Sequence, residues 1–248
     1  MKNMPENELD LTRNNEAKKD YSVQQRKYTA KEEFWNVLTH AVGAIVCLVF
    51  SVLMIIKTCH GIADGKYGGV ALVSIIAFSV SLVVMYTMSS IYHACKYGSL
   101  AKTVLRRFDY CSISLLIAGS YMPYSLIGLV EFGTEQPADT VWGMVISLTV
   151  VTLAIVTIAL NAISVQKFRI FTFISYVVMG WMIILRIYHL YLAIGITALV
   201  LLFSGGVAYT VGIAVYKLRK IPYYHAIWHM FVVAGSVLMI CGMYFCIL

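Results

Sequence analysis

Tyr92-His93-Ala94-Cys95-Lys96-Tyr97-Gly98-Ser99-Leu100-Ala101-Lys102-Thr103-Val104-Leu105-Arg106-Arg107-Phe108-Asp109 is a short basic stretch between two long apolar ones. Val70–Tyr92 leads into it and Phe108–Val130 leads out of it. Each is at or above the ~20 residues that a helix needs to cross the hydrocarbon core. The stretch therefore reads as the turn of a transmembrane hairpin, with His93 and Asp109 at the same membrane boundary. Working outward, Phe34–Ile56, Val141–Ile163, Phe168–Leu185, Leu190–Tyr216 and Tyr224–Leu248 are further apolar runs. Phe168–Leu185 is the shortest, and little more than Arg186 and His189 parts it from the next run. The expected fold is an all-α membrane protein, a bundle of seven transmembrane helices over residues 32–248. A β-barrel would need strictly alternating runs of ~10 residues. These runs are longer and apolar on all sides, and in hydrocarbon a helix pairs every backbone group internally.

Composition agrees with lipid as the solvent. The 248 residues are 60% hydrophobic and 12% charged, against about 25% charged in a soluble domain. The carboxylates lie outside the apolar runs, except Asp109, which stands where one has just begun. Residues 1–31 are polar and of mixed charge, and are expected to form a mobile cytoplasmic tail with a partly helical end. No cleavable signal peptide is expected, because the first apolar run follows this tail and is long enough to stay in the membrane. The six cysteines form no CxxC pair and read as small buried hydrophobes, with Cys95 and Cys111 as weaker candidates for a soft metal ligand.

Lysine and arginine set the expected orientation. One side carries Lys18, Lys19, Arg26, Lys27 and Lys31 before the first run, and Lys96, Lys102, Arg106 and Arg107 between the second and third. It also carries Lys167 and Arg169, then Lys217, Arg219 and Lys220. The other side has Lys57, Lys66 and Arg186. Fourteen against three places the N-terminus in the cytoplasm and the C-terminus outside. The net charge of +7 is then a topology signal, and no nucleic-acid partner is expected.

With that orientation His93, Asp109, His225 and His229 all fall at one depth, near the cytoplasmic face. His225 and His229 are i, i+4 and share a helix face. That is the pairing by which HExxH zincins hold zinc, but His225-Ala226-Ile227-Trp228-His229 has no glutamate, so a general base must come from elsewhere. Three histidines and one open position for water match a catalytic zinc site. Asp109 could hold that water, ligate directly, or simply pair with Arg106 or Arg107. Ser89 lies one turn from His93, about 6 Å deeper on the same face. Glu33, Asn36 and His40 lie at i, i+3, i+7 on the first helix, either as interfacial and packing residues or as a supporting shell or access gate near the metal. His60 and His189 fall on the outer side and read as interfacial.

These residues carry a resemblance. Glu33-Phe-Trp-Asn36-Val-Leu-Thr39-His40, Ser89-Ser-Ile-Tyr-His93, Phe108-Asp109-Tyr110 leading to Ala118-Gly119-Ser120-Tyr121-Met122-Pro123, and His225-Ala-Ile-Trp-His229-Met-Phe-Val-Val-Ala-Gly235-Ser236 are together specific. The chain resembles the hemolysin III branch of the progestin and adipoQ receptor (PAQR) family from the first apolar run to its last residue. The resemblance implies a seven-helix bundle with a cytoplasmic N-terminus and Zn2+ held by His93, His225 and His229. It further implies that Asp109 contacts the zinc-bound water, with Ser89 beside it. Related alkaline ceramidases hydrolyse lipid amides at a similar site, while bacterial members are labelled hemolysins and described as membrane-homeostasis proteins. Two departures bear on the surroundings of the site: Tyr110 stands where histidine is common, and Gly119-Ser-Tyr-Met-Pro123 replaces Gly-Thr-Tyr-Thr-Pro.

The resulting expectation is a multi-pass plasma-membrane protein acting on membrane lipids as a zinc-dependent amide or ester hydrolase. Asp109 and Ser89 would be catalytic, and Pro123 and Gly119 would shape an acyl-chain cavity by kinking the third helix. Two other classes compete: a membrane-state sensor with structural zinc, and a pore-forming cytolysin, for which few charged residues are available to line a pore. A retinal protein is excluded, because Tyr224–Leu248 holds no lysine for a Schiff base. A G-protein-coupled receptor has the opposite orientation. The sequence does not bear on oligomeric state.

Overall fold

The computed structural model describes residues 27–133 and 137–248. Of the expected polar tail, residues 1–26 lie outside the described residues, while Ala30 and Lys31 already belong to the first helix. Among the described residues there are seven α-helices and no strand: α1 (Ala30–Ala63), α2 (Gly69–Ala94), α3 (Leu100–Met122), α4 (Pro137–Ser164), α5 (Arg169–Trp181), α6 (Ile187–Lys217) and α7 (Tyr224–Cys241). π-helical turns extend α3 over Pro123–Glu131 and α7 over Gly242–Ile247, and a 3-10 turn over Met182–Arg186 joins α5 to α6. Six stretches among the described residues are long and apolar enough to cross a membrane, because α5, the 3-10 turn and α6 run on as one stretch of 49 residues, Arg169–Lys217.

That stretch is folded back on itself. The Phe173 and Tyr216 rings lie 6.1 Å apart, and the Trp181 ring lies 5.8 Å from that of Phe203. Trp181 also donates its indole N–H to Thr210 Oγ1 at 3.2 Å. Residue numbers rise along one leg and fall along the other, so the legs are antiparallel. The reversal includes Gly195, at φ 77° and ψ 170°, a left-handed conformation open to glycine at no steric cost. The break expected at Arg186 and His189 thus falls on the approach to the hinge. Arg186 instead donates to the Asp139 carboxylate, with His189 Nε2 3.9 Å from the same oxygen, tying the reversal to the start of α4.

Helix α1 starts at a capping box, in which the Glu32 N–H donates to Thr29 Oγ1 and the Thr29 N–H to the Glu32 carboxylate. Its buried stripe is Asn36, His40, Gly43, Cys47, Ser51, Met54, Thr58 and Gly61, while Ile45, Leu48, Val49 and Val52 face outward. Small and polar residues turned inward with aliphatic residues outward is the pattern of a helix that packs on neighbours in lipid. The helices close into a ring in which chain neighbours are spatial neighbours and α7 returns to α1. Two close approaches rely on glycine. A Cβ on Gly235 would lie 3.0 Å from the Gly205 carbonyl oxygen, joining α6 to α7, and one on Gly119 would lie 3.0 Å from the Ala77 carbonyl oxygen of α2. Gly119 therefore serves α2–α3 packing. Pro123, lacking an N–H and crowding the preceding turn, opens the π-helical segment. Among the cysteines only Cys47 is buried, Cys59 and Cys246 are exposed, and all six are free thiols.

Candidate metal centre

Helix α2 carries Ser89 and His93 in its last turns, α3 carries Asp109, and α7 carries His225 and His229 in its first two turns. Tyr223, at φ 55°, turns the chain into α7. The ring nitrogens of His93, His225 and His229 converge: one from each lies within 4.8 Å of the other two, and all three residues are buried. His93 Nε2 and His225 Nε2 are 3.0 Å apart. Zinc–nitrogen distances of ~2.0–2.1 Å in a tetrahedron imply donors about 3.3 Å from one another, so the triad is near the size a metal requires.

Hydrogen bonding fixes which nitrogens face inward. His93 Nδ1 is 2.7 Å from Glu33 Oε2, and an ionised carboxylate can only accept, so Nδ1 donates and Nε2 keeps its lone pair. His229 Nδ1 is 3.1 Å from the Asn36 carbonyl oxygen, which likewise only accepts, and Thr39 Oγ1 is also 3.1 Å away. His229 Nε2 is therefore a lone pair, fully buried and without a hydrogen-bond partner. A buried acceptor with nothing to accept is costly, and a cation among the three histidines removes that cost. The donor set fits a metal ion. Three imidazoles suit zinc, and also copper, iron or nickel.

The α1 stripe surrounds this triad. Glu33 holds His93, the Asn36 backbone holds His229, and the His40 ring stacks on His229 at 3.6 Å and 14°. Both His40 nitrogens are buried without hydrogen-bond partners. From the segment before α1, Tyr28 lays its ring 5.2 Å from His225 and 5.9 Å from His93, and its hydroxyl is 3.1 Å from that of Tyr224. Burial, reinforced by Tyr224, raises the Tyr28 phenol above its ordinary range, so it stays neutral.

Asp109 stands outside the triad. It has no ion pair with Arg106 or Arg107: Arg107 donates to the Ala162 carbonyl, and the Arg106 guanidinium lies 6.0 Å from the Tyr110 ring. The Ser89 hydroxyl is directed towards the Asp109 carboxylate without closing a well-formed hydrogen bond to any partner. Asp109 and His225 together form the polar end of an open cavity whose empty space, open solvent included, is about 1040 Å³. Beyond them the walls are largely apolar, formed by α3, α5, α6 and α7 with Tyr121, Trp181 and Met239 at the far end. From Asp109 to Tyr121 is about 18 Å along α3 at ~1.5 Å per residue, longer than the ~15 Å of one leaflet's hydrocarbon. Neither Gly119 nor Pro123 lines it, whereas Ser120 does.

Sequence reasoning did not single out Lys102, Thr39 or Tyr28 as neighbours of the triad. Lys102 shares a face with Asp109 at i, i+7, and Thr39 adjoins His40, so both carried a weak signal. Tyr28 precedes the helix and carried none.

Comparison with known proteins places this arrangement in context. The model of the family described as "Haemolysin-III related" matches residues 28–240. The hemolysin-3 homolog of Bacillus subtilis (strain 168) is 33% identical over 222 residues, covering 89% of this chain and 95% of the relative. Hemolysin-3 of Bacillus cereus is 34% identical over 221 residues, covering 88% and 91%. The human monocyte to macrophage differentiation factor is 24% identical over 217 residues, covering 85% and 82%.

Proposed function

The chain belongs to the haemolysin-III-related family, and from that premise we propose that it is a zinc-dependent hydrolase of membrane-lipid amides or esters, acting in membrane-lipid homeostasis. The observation that carries this reading is the cavity. It joins Asp109 and His225, at the edge of the histidine triad, to an apolar space of acyl-chain length. A multi-pass membrane protein with a buried polar end to such a cavity is built to take a lipid tail and present its linkage to the polar end.

His93, His225 and His229 would hold the ion. Bound there, zinc would polarise a lipid carbonyl and lower the pKa of a water towards ~7. Asp109 takes the proton of the attacking water and returns it to the leaving amine or alkoxide. Ser89, one turn deeper than His93, orients Asp109 or donates to the oxygen on which charge develops. The apolar walls align the acyl chain and exclude bulk water. Crossing number and orientation belong to the same proposal. A single helix over Arg169–Lys217 would be about 73 Å long at ~1.5 Å per residue, against a core of ~30 Å, so the two antiparallel legs count as two crossings. The total is then seven, with the N-terminus and the metal centre at the cytoplasmic face by the charge rule.

A second reading has its own observation. The triad bridges α2 and α7, and the residues around it come from α1, so a metal ion would also clamp three helices in a membrane sensor. The name hemolysin, carried by the Bacillus cereus relative, suggests pore formation. The cavity does not favour that for this chain, because among the described residues Asp109 is the only carboxylate in its walls. The deciding experiment is turnover of a panel of long-chain acyl amides and esters by purified protein of measured zinc content. Protein that holds zinc and hydrolyses none of them would rule out the enzyme and leave the clamp.

A further inference from the structure

Lys102 counts in the sequence among the charges that orient the chain, yet it is 1% exposed. It lies in the first turn of α3, just after the Ser99 cap. Its Nζ is 2.5 Å from Glu33 Oε1, 3.1 Å from the Cys95 carbonyl oxygen and 3.4 Å from that of His93. The two carbonyls belong to the C-terminal end of α2, where acceptors lack helical partners and a cation is favoured. The third acceptor is the carboxylate whose other oxygen takes the His93 Nδ1 proton. An ammonium has three protons, and here each has an acceptor.

The consequence runs through Glu33. A carboxylate withdrawn from water is expensive unless paired, and Lys102 is its cationic partner. Kept as an anion, Glu33 can only accept, so His93 must carry its proton on Nδ1 and turn the Nε2 lone pair towards His225. If Glu33 were uncharged or displaced, His93 would be free to adopt the other tautomer, which puts a proton where a metal would bind.

We propose that Lys102 is a positioning residue of the metal centre: by fixing Glu33, it sets the tautomer and direction of His93. The proposal rests on the reading of the three histidines as a metal site. It differs from a purely architectural role, in which Lys102 merely pins the turn between α2 and α3 and has no say in metal affinity.

The test uses the full chain, purified in detergent, as wild type, Lys102→Met, Lys102→Arg, Glu33→Gln and the Lys102→Met/Glu33→Gln double variant. Zinc affinity is measured by competition with a chromophoric chelator, the visible spectrum is recorded with Co2+ in place of zinc, and melting is followed without metal. Lys102→Met and Glu33→Gln should each weaken zinc by about 10–100-fold, the range for losing a partner of a metal-binding histidine. The double variant should be no weaker than the worse single one, since both changes act through one carboxylate. The Co2+ bands should shift in Lys102→Met and move back towards wild type in Lys102→Arg. A Lys102→Met protein that melts earlier but keeps wild-type zinc affinity and Co2+ bands overturns the proposal, as does an additive double variant. Wild-type protein that binds neither metal overturns the metal centre itself and this proposal with it. If Lys102→Met does not fold, Glu33→Gln and Lys102→Arg carry the test, and unchanged affinity in Glu33→Gln decides against it.

Discussion

An Asp109→Asn exchange replaces one carboxylate oxygen by an amide nitrogen, with almost no change in volume, in a side chain that is 5% exposed. No ion pair to Asp109 exists among the described residues for the exchange to break. Removing a buried charge that has no ion-pair partner relieves a desolvation cost that reaches several kcal/mol per ion, so the melting temperature should hold or rise. The proposed chemistry responds in the opposite direction. A positioned general base contributes about 10²–10⁴-fold, or about 2.7–5.5 kcal/mol of barrier at 1.36 kcal/mol per tenfold, and an amide cannot take the proton. The assay compares wild type and variant in the same lipid discs, measuring zinc per chain, melting temperature and fatty-acid release from one acyl amide and one ester. Zinc content, melting and KM should stay near wild type while kcat falls by two to four orders of magnitude. Wild-type turnover in the variant would remove Asp109 from the reaction. Loss of zinc together with activity would make Asp109 a ligand, and the assignment of the base would be wrong.

His229→Ala should abolish stoichiometric metal binding, read by elemental analysis, because it deletes the triad nitrogen, His229 Nε2, that is buried without a hydrogen-bond partner. Chelation of wild-type protein should lower its melting temperature and added zinc should restore it. At free zinc 1,000-fold above Kd, the ion contributes about 4.1 kcal/mol. Gly235→Val should weaken the α6–α7 contact, since its Cβ would lie 2.6 Å from the Tyr209 ring. Overpacking of this kind costs about 1–3 kcal/mol, to be read as a lower melting temperature with metal stoichiometry retained. Gly180→Trp should leave the fold intact, as a Cβ there meets nothing within 4 Å, and should partly fill the cavity that Gly180 lines. Its effect should be a higher KM for long acyl chains and little change for short ones.

The apolar runs made most of the helices legible, because in lipid length and hydropathy leave little choice. Val70–Tyr92 became Gly69–Ala94, and Tyr224–Leu248 became α7 with its π-helical end. The stretch from Phe168 to Tyr216 was harder, since its reversal is apolar without being buried: Tyr188, Leu192 and Ile196 are exposed around the hinge, and no polar loop marks it. Its hinge is one left-handed glycine, which hydropathy cannot distinguish from Gly205 or Gly206. Convergence of His93, His225 and His229 followed from depth and helix spacing alone. The direction of the α1 stripe did not, because i, i+3, i+7 locates a face without saying what it meets, and His40 stacked on His229 is a product of packing. The partners of Lys102, which the sequence offered only as an orienting charge, were not legible for an instructive reason. A lysine at a membrane boundary usually extends its charge to water, and only the carboxylate of Glu33, sixty-nine residues earlier, turns it inward. The contact of Gly119 with Ala77 was not legible either, because a sequence shows that a residue is small, not what presses on it.

The histidines that converge are separated by 132 residues of chain. At ~5–20 residues per second of synthesis, His93 waits roughly 7–26 s in the bilayer before His225 is made. Glu33 is already present and Lys102 follows within a turn of the nascent hairpin, so His93 is oriented long before it has anything to share a metal with. A chain arrested before its last helix can hold no ion among these three histidines. Were a metal bound there, its occupancy would record that insertion has run to completion, and its uptake would follow the synthesis of the last helix.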